Sequence, residues 1–242
     1  MIAPYYKKDK ITIYNNDYAE VLSQIKNKNI IIITDPPQGI GFKYKSGKEL
    51  HSTPKGYGPW IKNVYKQLTV LVPDGNLIAI FQHYRYLRYL WEWFGEHIDI
   101  FFYARNFTAL HGKGIENSVV PIVIQYKNTK KPNIRTKHKR RKINFFISDW
   151  RTFHLSRKKT QLNHPCPLPR DICSHIIYNF ANTNTIIIDP FLGSGQILIA
   201  GLLLDHEVIG IEIEKSYCHA AIKNIENILQ GETNGNNTEA AK

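Results

Sequence analysis

Two short segments carry residue types whose spacing suits chemistry. The first is Ile186-Ile187-Ile188-Asp189-Pro190-Phe191-Leu192-Gly193-Ser194-Gly195. An apolar run of strand length feeds a turn with two glycines, and a helical pattern follows. Gly193 and Gly195 let a ligand approach the backbone closely, and the helix start offers free N–H groups to an anion. The next apolar run, Val208-Ile209-Gly210-Ile211, leads to Glu212. An acid at the end of that strand can accept hydrogen bonds from both ribose hydroxyls of a nucleoside cofactor. The second segment is Ile31-Ile32-Ile33-Thr34-Asp35-Pro36-Pro37-Gln38-Gly39. Its prolines stiffen the chain at the end of a buried strand, where open α/β sheets bind ligands. A carboxylate beside rigid carbonyls suits an exocyclic amine, which offers two N–H donors. Taken by itself, the same segment also reads as a rigid turn.

The charge distribution sets a third feature apart. The 242 residues carry 32 Lys+Arg and 20 Asp+Glu, a formal charge of +12. Residues 127–159 hold 13 of those bases and one acid, Asp149, so this segment alone accounts for +12 and the rest is neutral. A uniformly basic, histone-like protein is excluded, and an apolar content of 43% excludes global disorder. Arg135, Lys137, Lys139, Arg140, Arg141 and Lys142 form the densest part of the run. They suit phosphate contact, which positions a protein without reading sequence. The run also reads as a solvated loop that binds any polyanion. The stretch after Gln38, with Lys43, Lys45, Lys55 and Tyr57, is a second candidate nucleic-acid surface. Its Gly47, Gly56 and Gly58 suggest a mobile loop that orders on binding. Cys166, Cys173 and Cys218 make no CxxC pair, and the scattered histidines lack metal spacing, so a disulfide scaffold and a metal site are not expected. The N-terminus has no apolar signal core, and the oily stretch Ile197–Leu204 is too short to span a bilayer.

The elements that must position these residues follow from periodicity. Strands are expected at Ile11–Tyr14, Ile30–Thr34, Leu77–Phe81, Ile98–Tyr103, Val119–Tyr126, Thr185–Asp189 and Val208–Glu212. Pro121 suggests that its strand lies at an edge. Helices are expected at Asp17–Ile25, Pro59–Leu71, Tyr84–Phe94, Pro169–Phe180, Gln196–Leu204 and Lys215–Leu229, with a loop over 35–58. Alternation of strands and helices implies an α/β domain with a mainly parallel sheet. One domain over 1–230 is expected, with residues 127–159 inserted in it and a flexible polar tail over 231–242. The aromatic run Tyr84, Tyr86, Tyr89, Trp91, Trp93 and Phe94 reads as core packing rather than base stacking.

Together these residues resemble the S-adenosylmethionine-dependent amino-methyltransferases of DNA, in the order that puts the catalytic loop before the glycine loop, the beta group. The family's Asp/Asn/Ser-Pro-Pro-aromatic tetrad is matched by Asp35-Pro36-Pro37, but Gln38 replaces the aromatic. Its Asp-Pro-Phe-x-Gly-Ser-Gly loop is matched in full by Asp189, Pro190, Phe191, Gly193, Ser194 and Gly195. Glu212 matches the acid after the next strand, and His164-Pro165 matches the segment before the glycine loop, where Cys166-Pro167-Leu168-Pro169 departs from the usual Thr-Gln-Lys-Pro. The resemblance implies a Rossmann-like fold with a mainly parallel seven-stranded sheet and helices on both faces.

It further implies that a base is extruded from double-stranded DNA into the pocket. Asp35 and the Pro36 carbonyl would then accept the amine's two N–H bonds, with Pro37 and Gln38 completing the catalytic loop. Glu212 would hold the cofactor ribose, Gly193–Gly195 the methionine part, Asp17 the cofactor adenine and His164 the methionine end. Asp17 reads equally as a helix cap. Gln38 stacks poorly on a base; Phe42 or Tyr44 could supply the platform instead. The resemblance favours adenine N6. It leaves open cytosine N4, a catalytically impaired homologue, and action on RNA or protein. A prokaryotic or viral enzyme of the cytoplasm, linked to restriction, is the natural setting, with a partner endonuclease and a homodimer both open.

Overall fold

The computed structural model describes residues 2–26, 29–40, 54–105, 119–128, 145–148 and 168–239. Nine strands form one sheet: β1 (Tyr6–Lys8), β2 (Ile11–Tyr14), β3 (Ile30–Thr34), β4 (Leu77–Phe81), β5 (Asp99–Arg105), β6 (Val119–Tyr126), β7 (Phe145–Ser148), β8 (Ile186–Asp189) and β9 (Val208–Ile211). Their order across the sheet is β1-β2-β9-β8-β3-β4-β6-β5-β7. The run from β2 through β9, β8 and β3 to β4 is parallel, and β6 pairs antiparallel with β4 and β5.

The helices are α1 (Tyr18–Leu22), α2 (Pro54–Leu71), a 3-10 helix (Tyr84–Tyr89), α3 (Leu90–Phe94), α4 (Arg170–Phe180), α5 (Gln196–Leu203) and α6 (Lys215–Glu239). They cover both faces, so the central strands β3, β4, β8 and β9 are buried at every position rather than alternately. The side chains of β3 show the consequence. Ile31 and Ile33 join a core with Ile172, Ile176, Leu198 and Ala221 from α4, α5 and α6. Ile30 and Ile32 join a second core with Leu22, Ile61, Leu68 and Trp93 from α1, α2 and α3.

The structure departs from the sequence-based expectations in several places. The sheet has nine strands, not seven, because β1 and β7 add to its two edges. The strand with Pro121 is internal, between β4 and β5. Pro121 lies one residue past the end of β4, where its carbonyl accepts from the Gln82 N–H at 2.8 Å, so its missing donor costs the β4 ladder nothing. Helix α2 starts at Pro54 instead of Pro59 and takes in Gly56 and Gly58. A Cβ on Gly58 would lie 2.8 Å from Trp93 Nε1, so this glycine serves close packing. The segment Tyr84–Phe94 divides into a 3-10 turn capped by His83 and a short α-helix. The last helix continues to Glu239, past the expected stop at Leu229, with no proline to break it.

Candidate active site

The chain leaves β3 toward β4 on one side of the sheet, and leaves β8 toward β9 on the other. Adjacent parallel strands whose connections diverge form a switch point, the usual ligand crevice of an open α/β sheet. Both informative loops begin there. Asp35 follows β3, Asp189 ends β8, Glu212 follows β9 and Asp17 follows β2. The four carboxylates thus share the C-terminal edge of four neighbouring parallel strands.

Thr34 and Asp189 join the two loops. The Thr34 hydroxyl donates to Asp189 Oδ1 at 2.8 Å, and the Phe191 N–H donates to the same oxygen at 3.1 Å. Asp189 is buried, and desolvation raises its pKa to about 7 against those two hydrogen bonds. The turn beyond it is fixed by Leu192 N–H to Ile211 carbonyl at 2.9 Å and by Asn224 Nδ2 to Ser194 carbonyl at 3.1 Å. Gly195 holds φ +80, and a Cβ there would lie 3.2 Å from Ala221 Cβ. Only glycine fits that combination of backbone and space.

Glu212 faces the glycine turn. Its Oε2 accepts from the Gly193 N–H at 3.0 Å and its Oε1 from the Glu214 N–H at 2.9 Å. Burial raises its pKa, and the backbone donors oppose that rise. Each oxygen retains acceptor capacity beyond these single bonds, which is the chemistry a ribose diol requires. Asn15 steadies the strand end by donating to the Glu212 and Ile213 carbonyls at 2.9 and 3.0 Å.

The Asp35 loop holds a carboxamide NH2 group. The side-chain nitrogen of Gln38 donates to Asp35 Oδ1 at 2.7 Å, to the Pro36 carbonyl at 2.9 Å and to the Phe81 carbonyl at 3.0 Å. The carboxylate and the proline carbonyl therefore converge on one NH2 group. Gly39 follows at φ 60, and its carbonyl accepts from the buried Tyr86 hydroxyl at 2.9 Å. Tyr86 stacks on Tyr57, whose hydroxyl donates to Gln82 Oε1 at 3.0 Å.

Asp17 caps α1 by accepting from the Ala19 N–H at 2.8 Å, the structural role its position suggested. Tyr86, Trp93 and Phe94 are core residues, whereas Tyr84 and Trp91 are exposed at 41% and 49%. Tyr57, expected on a nucleic-acid surface, is fully buried between Tyr86 and Trp93. Lys55 is exposed in the first turn of α2. Phe42, Lys43, Tyr44, Lys45, Arg135, Lys137, Lys139, Arg140, Arg141, Lys142, His164 and Pro165 lie outside the described residues. Among the described residues no cluster of His, Cys, Asp and Glu could hold a metal, and no helix is long and apolar enough to cross a membrane. Sequence reading missed Thr34 and Asn224. Thr34 had one signal, a polar residue ending an otherwise aliphatic strand.

This strand order, with glycine turn and acids at the switch point, is the Rossmann-like arrangement of S-adenosylmethionine-dependent methyltransferases. The chain belongs to the DNA methylase family of N6/N4 type, whose family model matches residues 30–223. It is 27% identical over 260 residues to the type II methyltransferase M2.DpnII of Streptococcus pneumoniae, covering 97% of this chain and 96% of that one. It is 23% identical to M.HpaI of Haemophilus parainfluenzae, covering 92% and 76%. A 45% identical match to M2.MboI of Moraxella bovis is confined to 62 residues, 26% of this chain and 23% of that protein. The match to M.BamHI of Bacillus amyloliquefaciens spans 56% of that relative. Among solved structures, PvuII DNA methyltransferase (cytosine-N4-specific) has a TM-score of 0.70 at 15% identity, covering 92% of this chain and 89% of that one. The M1.HpyAVI complex with S-adenosylmethionine has 0.61 at 24%, covering 89% and 99%. At these identities the structural likeness speaks for the fold.

Proposed function

We propose that the protein methylates DNA at the exocyclic N6 of adenine, on a base turned out of the duplex, with S-adenosylmethionine as donor. The observation that carries this reading is the convergence of Asp35 Oδ1 and the Pro36 carbonyl, 2.7 and 2.9 Å from a single NH2 nitrogen. The amide NH2 of Gln38 and a nucleobase amine are both planar, conjugated and equipped with two N–H donors. A seat that fits one fits the other.

S-adenosylmethionine, when bound, supplies an electrophilic methyl group. The protein's part is to hold and to activate. Glu212 would accept the ribose hydroxyls, and the Gly193–Gly195 turn would lie along the methionine portion. Asp35 and the Pro36 carbonyl accept the target's N–H bonds, which draws the nitrogen lone pair out of ring conjugation. Fixing two reactants in line, in a site with preoriented acceptors, supplies most of the rate effect expected of such an enzyme. The proton released from nitrogen has Asp35 within hydrogen-bond reach. No nucleophilic cysteine is required: Cys173 and Cys218 are buried, and desolvation raises both thiols, Cys218 to about 12. The basic run Arg135–Lys142 and Lys43, Lys45 and Lys55 are proposed to hold the DNA backbone.

Asp35 at the first tetrad position favours adenine, by the resemblance to adenine-modifying members. The test is nucleoside mass spectrometry of DNA incubated with the protein and isotopically labelled donor. Labelled N6-methyladenine supports the reading; labelled N4-methylcytosine alone replaces the base, and no label refutes the activity.

A further inference from the structure

We propose that Gln38 is a built-in occupant of the amine seat, which the target amine must displace before reaction. This rests on the reading of Asp35 and Pro36 as the amine's acceptors. The Gln38 nitrogen carries two hydrogens and faces three acceptors, at 2.7, 2.9 and 3.0 Å. Two of these are the groups assigned to the substrate amine, so the Gln38 amide and that amine cannot be seated together. An aromatic residue at this position carries no NH2 group to give two N–H bonds from one nitrogen, so this form of block is particular to glutamine here.

The other end of the amide makes it a dispensable occupant. Gln38 Oε1 is buried and has no hydrogen-bond partner among the described residues. A buried acceptor left unpaired carries a desolvation penalty. Gln38 is therefore held through its nitrogen alone, and rotating outward releases that penalty. The backbone around it is held. Pro37 restricts φ on one side, and the Gly39 carbonyl is pinned by the buried Tyr86 hydroxyl on the other. Displacement is thus a rotation of one side chain, with the acceptors left in place. An incoming base must offer an N–H pair to replace the bonds that Gln38 gives up. Amine-bearing bases meet this requirement, and thymine does not.

The experiment titrates the full chain and two variants with deoxyadenosine, deoxycytidine and thymidine, with S-adenosylmethionine as a separate probe. Gln38→Ala removes the occupant. Gln38→Asn shortens it by one methylene, so that it no longer spans the seat, and serves if the alanine variant loses cofactor binding. We expect at least one amine nucleoside to bind either variant about tenfold more tightly than wild type, roughly the equivalent of one hydrogen bond to a charged acceptor. Thymidine binding should be unchanged and cofactor affinity within about twofold. Unchanged or weaker amine-nucleoside binding, with cofactor affinity intact, overturns the proposal and makes Gln38 a base contact or a structural tie. The two readings fail separately. Absence of methyl transfer to DNA by wild type counts against the activity, while the difference in nucleoside binding still reports on the occupant.

Discussion

The Thr34 hydroxyl donates to the Asp189 carboxylate at 2.8 Å across the neighbouring strands β3 and β8. Thr34 directly precedes the Asp35 loop, and Asp189 opens the glycine turn. This buried hydrogen bond therefore extends the β3–β8 ladder and ties the segment assigned to the amine to the segment assigned to the cofactor. Thr34→Val keeps the shape and removes the donor, leaving a buried carboxylate with less compensation. A loss of about 1–3 kcal/mol is expected in urea unfolding. An unchanged midpoint would show that the bond does not tie the loops.

Asp189 also predicts a pH dependence of stability. Its folded pKa, raised by burial to about 7, lies above the ordinary value of 3.8. Between those limits the folded chain holds a proton that the unfolded chain has lost, so folding is favoured at the acid end. This contribution to stability falls as pH rises through the window and levels off above about 7. Asp189→Asn should flatten that slope in urea midpoints measured from pH 4.5 to 7.5, and an undiminished slope would assign it to other groups.

The loops were readable from sequence because their chemistry is local. An aliphatic run followed by Asp189-Pro190 and two glycines specifies a buried strand and a tight turn without any distant residue. The tertiary features were not readable. Pro121 suggests an edge strand, yet it falls one residue past the end of its β4 neighbour, a fact of register alone. Tyr57 appeared in a lysine-rich stretch, but the space beside Gly58 brings Trp93 over it and buries it. Gln38 was visible as a missing aromatic. Its bonds to Asp35, Pro36 and Phe81 depend on the chain's return through β4.

Glu212 supports a prediction on cofactor affinity. Glu212→Gln removes the charge while keeping one acceptor, and replaces the other by a donor facing a backbone N–H. Titration with S-adenosylmethionine should show weakening of about tenfold to a hundredfold, the worth of a charged hydrogen bond. Equal affinity would remove Glu212 from the cofactor site.

The basic run supports a prediction that separates DNA binding from cofactor binding. Replacing Lys137, Lys139, Arg140, Arg141 and Lys142 by glutamine should weaken duplex binding and reduce the slope of log affinity against log salt. Affinity for S-adenosylmethionine should stay the same. An unchanged salt slope would place the phosphate contacts elsewhere.

The most direct measurement compares DNA from cells expressing the wild-type chain and the Asp35→Ala variant by single-molecule sequencing. N6-methyladenine in a fixed sequence context is expected with wild type. Asp35→Ala should remove the modification while the purified variant still binds S-adenosylmethionine. Methylation that persists in Asp35→Ala would contradict the seat formed by Asp35 and Pro36, and unmodified adenine throughout the wild-type sample would contradict the assigned reaction.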